Sequence, residues 1–148
     1  MTYRKLTLEW VDALLEMRIL QLTEEGAENP KTLLPALRRY YETHLADGTF
    51  VSWAAVCEGK LVAVSGMSFV EKPPYGGNPS GKIGLLSGMY TRKAYRRQGL
   101  AKTLLDHVIE EARAYGCGTV QVTASAMGSL LYADYGFEKS EKFMQIFL

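Results

Sequence analysis

The chain has 148 residues, 47% of them apolar and 22% charged, with a formal net charge of +1. A chain of this length buries one substantial core, so a single domain over residues 1–148 is expected. The near-neutral balance excludes a broad electrostatic field that recruits nucleic acid or an anionic membrane, and any anion site must be local. Cys57 and Cys117 are too few for a disulfide framework and lie in no CxxC pair, so they read as small buried or half-buried thiols of a reducing compartment. "MTYRKLTLEW" has no apolar signal core, and no stretch approaches the length of a membrane span. A soluble, cytoplasmic protein is expected.

"YRKLTLE" alternates as a strand does. "EWVDALLEMRILQLTEEG" then sets Trp10, Ala13, Leu14, Met17, Ile19 and Leu20 at helical spacing, with Gly26 as a stop. After Asn29 and Pro30, "KTLLPALRRYYETHLADG" reads as a second helix with Pro35 in its first turn. "FVSWAAVCEGKLVAVSGMSFV" is a hairpin turning at Glu58-Gly59-Lys60. "EKPPYGGNPSGK" carries three of the five prolines and is a loop. "IGLLSGMYT" is a strand whose apolar content predicts a sheet covered on both faces.

Leu100 to Tyr115 is the clearest helix, with Leu104, Leu105, Val108, Ile109 and Ala112 as its buried stripe and glycines at its exit. "TVQVTAS" follows as a strand, "MGSLLYADYG" as a short helix and "KFMQIFL" as a last strand. The order β-α-α-β-β-β-α-β-α-β describes a mixed α/β fold.

The junction "YRRQGLAK" is the informative segment. A helix begins with N–H groups that have no partner inside it, and its dipole makes that end partly positive. Gly99 has no β-carbon and Ala101 a minimal one, so a bulky anion can approach the amides of Arg97 to Lys102, as in a pyrophosphate cradle. No GxxxxGK[ST] or GxGxxG is present, which excludes a Walker loop and a Rossmann fingerprint. Read alone, the segment equally fits a glycine turn with solvated arginines.

Its company decides between the two. Arg96-x-x-Gly99-x-Ala101 resembles the R/Q-x-x-G-x-G/A motif of the GNAT superfamily of N-acetyltransferases, and it stands between the fourth strand and third helix, as it does there. "LYADYGF" (131–137) resembles that family's LYxxxGF segment. "EKPPYGGNPSGK" with "MYTRKAYRRQG" is similar to a subgroup of small bacterial members.

The resemblance implies a central mixed, mostly antiparallel sheet flanked by helices. It implies acetyl-CoA as acyl donor, with no metal, and an acceptor that is a primary amine of a small molecule or peptide attacking directly in a ternary complex. It assigns the cofactor site to Met89, Tyr90 and Thr91 at the strand end, then Arg96, Arg97, Gln98, Gly99, Leu100, Ala101, Lys102 and Thr103. Ser125 is to contact pantetheine, and a bulge at Ser87-Gly88 is to open the slot for the thioester. Met89 and its neighbours would offer amides to the thioester carbonyl. Tyr132 falls on the general-acid tyrosine.

Three positions depart from the family. Ser125 stands where asparagine is common, Gly128 where alanine is, and "KIGLLSGMYT" has no acid to serve as base. Glu25 and Glu28 are the candidate bases, with Glu24 and Glu71 behind them and water relayed past Ser87 as the alternative. Glu71 and Tyr75 are expected to border the acceptor pocket, which with Glu25 or Glu28 suggests a cationic amine.

His44 and His107 have no partner at metal-ligand spacing, His107 is read as solvent-facing, and no metal site is expected. No nucleic-acid or membrane partner is expected, and a homodimer is permitted. A non-catalytic acyl-CoA-binding sensor or interaction module on the same fold is the alternative, motivated by Ser125 and the missing strand acid.

Overall fold

The computed structural model describes residues 1–148, apart from the side chains of Ala126 and Met127. Strand β1 (Thr2–Lys5) is followed by helices α1 (Val11–Glu24) and α2 (Leu34–Asp47). Strands β2 (Phe50–Cys57), β3 (Lys60–Glu71) and β4 (Lys82–Thr91) come next, then α3 (Leu100–Tyr115), β5 (Thr119–Val122) and α4 (Ala126–Tyr135). The five strands lie in chain order, antiparallel except for the parallel β4–β5 pair. This is the mixed, mostly antiparallel sheet that was expected.

Helices cover both faces, which is why the strands read as nearly continuous apolar runs. On one face Leu14, Leu15 and Met17 of α1 and Tyr41 of α2 pack on Phe50, Ala54 and Val64. On the other, Leu105, Val108 and Ala112 of α3 and Tyr132 of α4 pack on Val51, Met67 and Leu86. Residues 50 and 51 point to opposite faces because side chains alternate along a strand. The β2–β3 turn is tight because Glu58 and Gly59 both take left-handed backbone, φ +52° and +75°.

Three expectations are corrected. β1 stops at Lys5, since residues 8–10 already curl into a 3-10 turn. His107 is not solvent-facing: its ring stacks on Trp53 at 4.0 Å. The last strand, "KFMQIFL", does not form. Its alternation is strand-like but it pairs with no strand among the described residues, and Phe143, Met144, Ile146, Phe147 and Leu148 are exposed. No helix among the described residues is long and apolar enough to cross a membrane.

The proline-rich loop is built around Asn78, which is fully buried. Its Nδ2 donates to Lys82 O at 2.9 Å, and Ser80 Oγ donates to Asn78 Oδ1 at 3.0 Å. A β-carbon on Gly118 would stand 2.0 Å from Asn78 Oδ1. Gly118→Ala is therefore expected to lower stability by about 1–3 kcal/mol, as overpacking does. Urea unfolding measures it, and an unchanged midpoint would show that the loop yields freely.

Candidate active site

The site begins where β4 loses its neighbour. β4 pairs with β5 only from Ile83 to Leu86, so Ser87 to Thr91 run on without a strand on that side. On its other side the register slips: Val64 pairs with Tyr90, but Gly66 pairs with Ser87. Three residues of β4 thus span two of β3, a bulge at the expected place, and Gly88 takes φ +69° to make it. Arg92 N–H donates to Val62 O, so by alternation the polar groups of Thr91 point away from β3, while Met89 lies within the slipped register, where alternation is broken. Both carbonyls accept from side chains: Gln21 Nε2 to Met89 O at 3.3 Å, and Arg96 Nε to Thr91 O at 2.9 Å.

Beyond β4 the chain curls into α3. Arg97 and Gly99 both take left-handed φ, +61° and +78°. No side chain caps the helix start, and nothing lies within 4 Å of a β-carbon built on Gly99. Arg97, Gln98, Gly99 and Lys102 are exposed and Leu100 is buried as the anchor of the turn. An uncapped 16-residue helix with open space at its first amides accommodates an anion. The Thr103 hydroxyl donates back to Gly99 O at 3.2 Å.

Arg96 does a different job from the one its charge suggests. Its Nη2 lies 2.7 Å from Glu24 Oε1 and its Nε holds Thr91 O, so it ties the end of β4 to the end of α1. The Tyr90 hydroxyl donates to the same carboxylate at 2.8 Å. Arg96 and then Tyr90 hold the Glu24 carboxyl below its ordinary range, which makes it a poor base.

The two tyrosines of α4 separate clearly. The Tyr135 hydroxyl donates to Asp106 at 2.7 Å, and burial together with that contact pushes its phenol up to about 12; it pins α4 to α3. Tyr132 is 7% exposed, and its hydroxyl has no hydrogen-bond partner among the described residues. Burial, then the charge of Glu25, raises its phenol above the ordinary value. Glu25 on the exit of α1 is therefore within electrostatic reach of Tyr132, and it also accepts from Gln21 Nε2 at 3.3 Å.

Gly128 has a local reason: a β-carbon there would sit 3.0 Å from Tyr132 Cε2. Ser125 is engaged as the cap of α4, accepting from Gly128 N–H at 3.1 Å.

A cavity of about 300 Å³ lies between α1, α2 and the sheet, and it reaches the bulge at Ser87 and Gly88. Gly66 makes this close approach possible, since a β-carbon there would meet Phe50 Cζ at 2.7 Å and Ser87 O at 2.9 Å. Arg18, Gln21, Tyr40 and Ser68 give the cavity its polar groups, with Tyr40 and Ser68 hydrogen-bonded at 2.7 Å. Arg18 and Gln21 were missed in the sequence. Their signal is position: they lie four and seven residues after Leu14, on the face that should be apolar.

Glu28 is exposed on the turn after α1. Glu71 pairs with Lys82, five residues along β4 from Ser87 and roughly 16 Å away. Tyr75 stands on the loop beyond, and neither residue lines the cavity. Among the described residues no three His, Cys, Asp or Glu side chains group as metal ligands.

Residues 12–137 match the model of the GNAT acetyltransferase family. The chain belongs to the GNAT family of acetyltransferases. A predicted acetyltransferase with acetyl-CoA from Clostridium acetobutylicum is 29% identical, with 98% of this chain and 94% of that one covered and a TM-score of 0.94. A GCN5-related N-acetyltransferase from Ralstonia eutropha JMP134 is 22% identical over 99% of this chain and 97% of its own, TM-score 0.89. An aminoglycoside N-acetyltransferase AAC(6')-Iy in complex with CoA is 19% identical over 99% and 93%, TM-score 0.78. These last two share the GNAT fold. No match is found among curated proteins.

Proposed function

We propose that this GNAT protein, as one domain over residues 1–148, is an N-acetyltransferase that moves the acetyl group of acetyl-CoA to a primary amine of a small acceptor. The observation that carries the reading is the junction of three features. The cavity reaches the freed edge of β4 at the bulge, and at the other end of that edge the chain turns beyond Thr91 into the uncapped start of α3. Acetyl-CoA supplies the acyl group as a thioester, a good donor to an amine.

The protein's part is binding, orientation and proton handling. The first amides of α3, with Arg97 and Lys102 nearby, receive the pyrophosphate, and Gly99 keeps the approach open. The backbone from Met89 to Thr91, on the freed edge of β4, pairs with the pantetheine arm as a further strand would. Arg96 and Glu24 hold β4 and α1 at the separation this requires. Tyr132, protonated and unpartnered, donates its proton to the leaving sulfur. Glu25, near Tyr132 and fixed by Gln21, takes the proton of the acceptor ammonium, with Glu28 as its neighbour on the same turn. Among the described residues neither cysteine is paired with a base as a nucleophile, which favours direct attack in a ternary complex.

The test is release of the CoA thiol with a panel of primary amines. Amine-dependent release supports transfer. Tight acetyl-CoA binding without release on any amine supports the sensor reading.

A further inference from the structure

The cavity's charge points to the acceptor. Arg18 is its only charged lining residue among those described, and no carboxylate lies within ion-pair distance of it. Its Nη1 donates to Gln21 Oε1 at 2.9 Å, and Gln21 Nε2 in turn reaches Met89 O at 3.3 Å. Arg18 also acts on the opposite wall: it pulls down the Tyr41 phenol that burial pushes up. A half-buried guanidinium without a counter-ion is costly, and a ligand anion relieves that cost with charge-assisted, bidentate bonds. Tyr40 and Ser68 add hydroxyls for further anion oxygens.

Resting on the acetyltransferase reading above, we infer that the acceptor is a small amine bearing an anionic group, and that Arg18 binds this anion while the amine faces the bulge. This reverses the cationic acceptor suggested by the acidic residues of the sequence, because Glu71 and Tyr75 are not at the cavity. A cavity of about 300 Å³ suits a molecule of amino-acid size.

The experiment compares amino acids, aminoalkyl phosphates and the matching decarboxylated amines. Each is tested for CoA release and, with CoA present, for binding by calorimetry. The expected result is preference for one anionic class, which also identifies the anion. Arg18→Gln is expected to lower the ratio of kcat/KM, anionic amine over neutral analogue, at least about tenfold through KM, with Arg18→Lys restoring part of it. Turnover of neutral or cationic amines as good as that of anionic ones would overturn the inference and leave the transferase reading standing. Anion binding at Arg18 without turnover on any amine would do the reverse.

A second inference rests on a separate observation. Residues 142–148, "KFMQIFL", carry exposed apolar side chains at Phe143, Met144, Ile146, Phe147 and Leu148, from 72% to 116% exposed. β5 pairs only with β4, so its outer edge is open. The other open edge, β1, carries Arg4 and Lys5, charges that protect an edge from further pairing, whereas β5 is Thr-Val-Gln-Val. The segment has apolar groups on both faces, as a strand in a sheet covered by helices requires. Six residues separate Gly136 from Phe143, a tether of roughly 20 Å when extended.

We propose that residues 142–148 of one copy add as a sixth strand to the β5 edge of a second copy, reciprocally, to form a two-fold dimer. Light scattering on the 148-residue chain is expected to give a dimer at micromolar concentration. Deletion of residues 142–148 and the single substitution Ile146→Lys are both expected to give a folded monomer by circular dichroism. If the deletion fails to fold, Ile146→Lys remains the readable arm. A monomer at every concentration, with the segment folded back on its own β5, would overturn the proposal, as would a dimer that survives Ile146→Lys.

Discussion

Gly99→Gln is expected to weaken acetyl-CoA binding about a hundredfold, equivalent to about 2.8 kcal/mol, while the protein stays folded. Two effects combine at this position. The backbone sits at φ +78°, a conformation that costs an ordinary residue about 1 kcal/mol. The larger effect is steric: the space around a β-carbon at Gly99 is open, and a longer side chain there occupies the approach to the first amides of α3. Gly99→Ala separates the two, since it introduces the strain with little of the bulk. Calorimetry reads the affinity and urea unfolding the strain. Equal affinities in wild type and a folded Gly99→Gln would remove the cradle from the account.

Tyr132→Phe is expected to lower kcat about a hundredfold with little change in acetyl-CoA affinity. The ring packs edge-on against Phe137 at 5.5 Å, and phenylalanine keeps that contact. Only the proton is lost. The pH profile gives an independent reading. Because burial and Glu25 raise the Tyr132 phenol, the donor form persists through the ordinary tyrosine value near 10. The wild-type rate should therefore rise as the acceptor loses its proton and fall only above that pH. The fall should vanish in Tyr132→Phe. Glu25→Gln should lower the low-pH side of the profile and, by removing a charge that raises the Tyr132 phenol, bring the high-pH fall to a lower pH. A small rate loss in Tyr132→Phe, with an unaltered profile, would mean that the thiolate leaves unaided.

Where local sequence sets local structure, the elements were legible. Leu100 to Tyr115 reads as a helix because its apolar stripe has one period and left-handed glycines flank it, and α3 has those bounds. The bulge was implied by the family resemblance, and Gly88 marked where the backbone could make it. Positions that depend on distant partners were not. Arg96 carries the charge of a phosphate ligand in the sequence, yet its partner Glu24 lies 72 residues earlier. The loop at Tyr75 looks like a binding loop by composition, but it is fixed by the single buried Asn78. "KFMQIFL" has strand chemistry, and its pattern does not specify which edge receives it. Arg18 and Gln21 were hidden by the apolar residues around them. Polar side chains on the buried face of α1 acquire meaning only when the cavity beside them is seen.

Acetyl-CoA is proposed to lie between the start of α3 and the freed end of β4. Hydrogen exchange of backbone amides, followed with and without acetyl-CoA, tests this placement most directly. Slowed exchange confined to Met89–Thr91 and Arg97–Lys102 is the predicted result. Acetyl-CoA that binds while leaving both segments unchanged would contradict it.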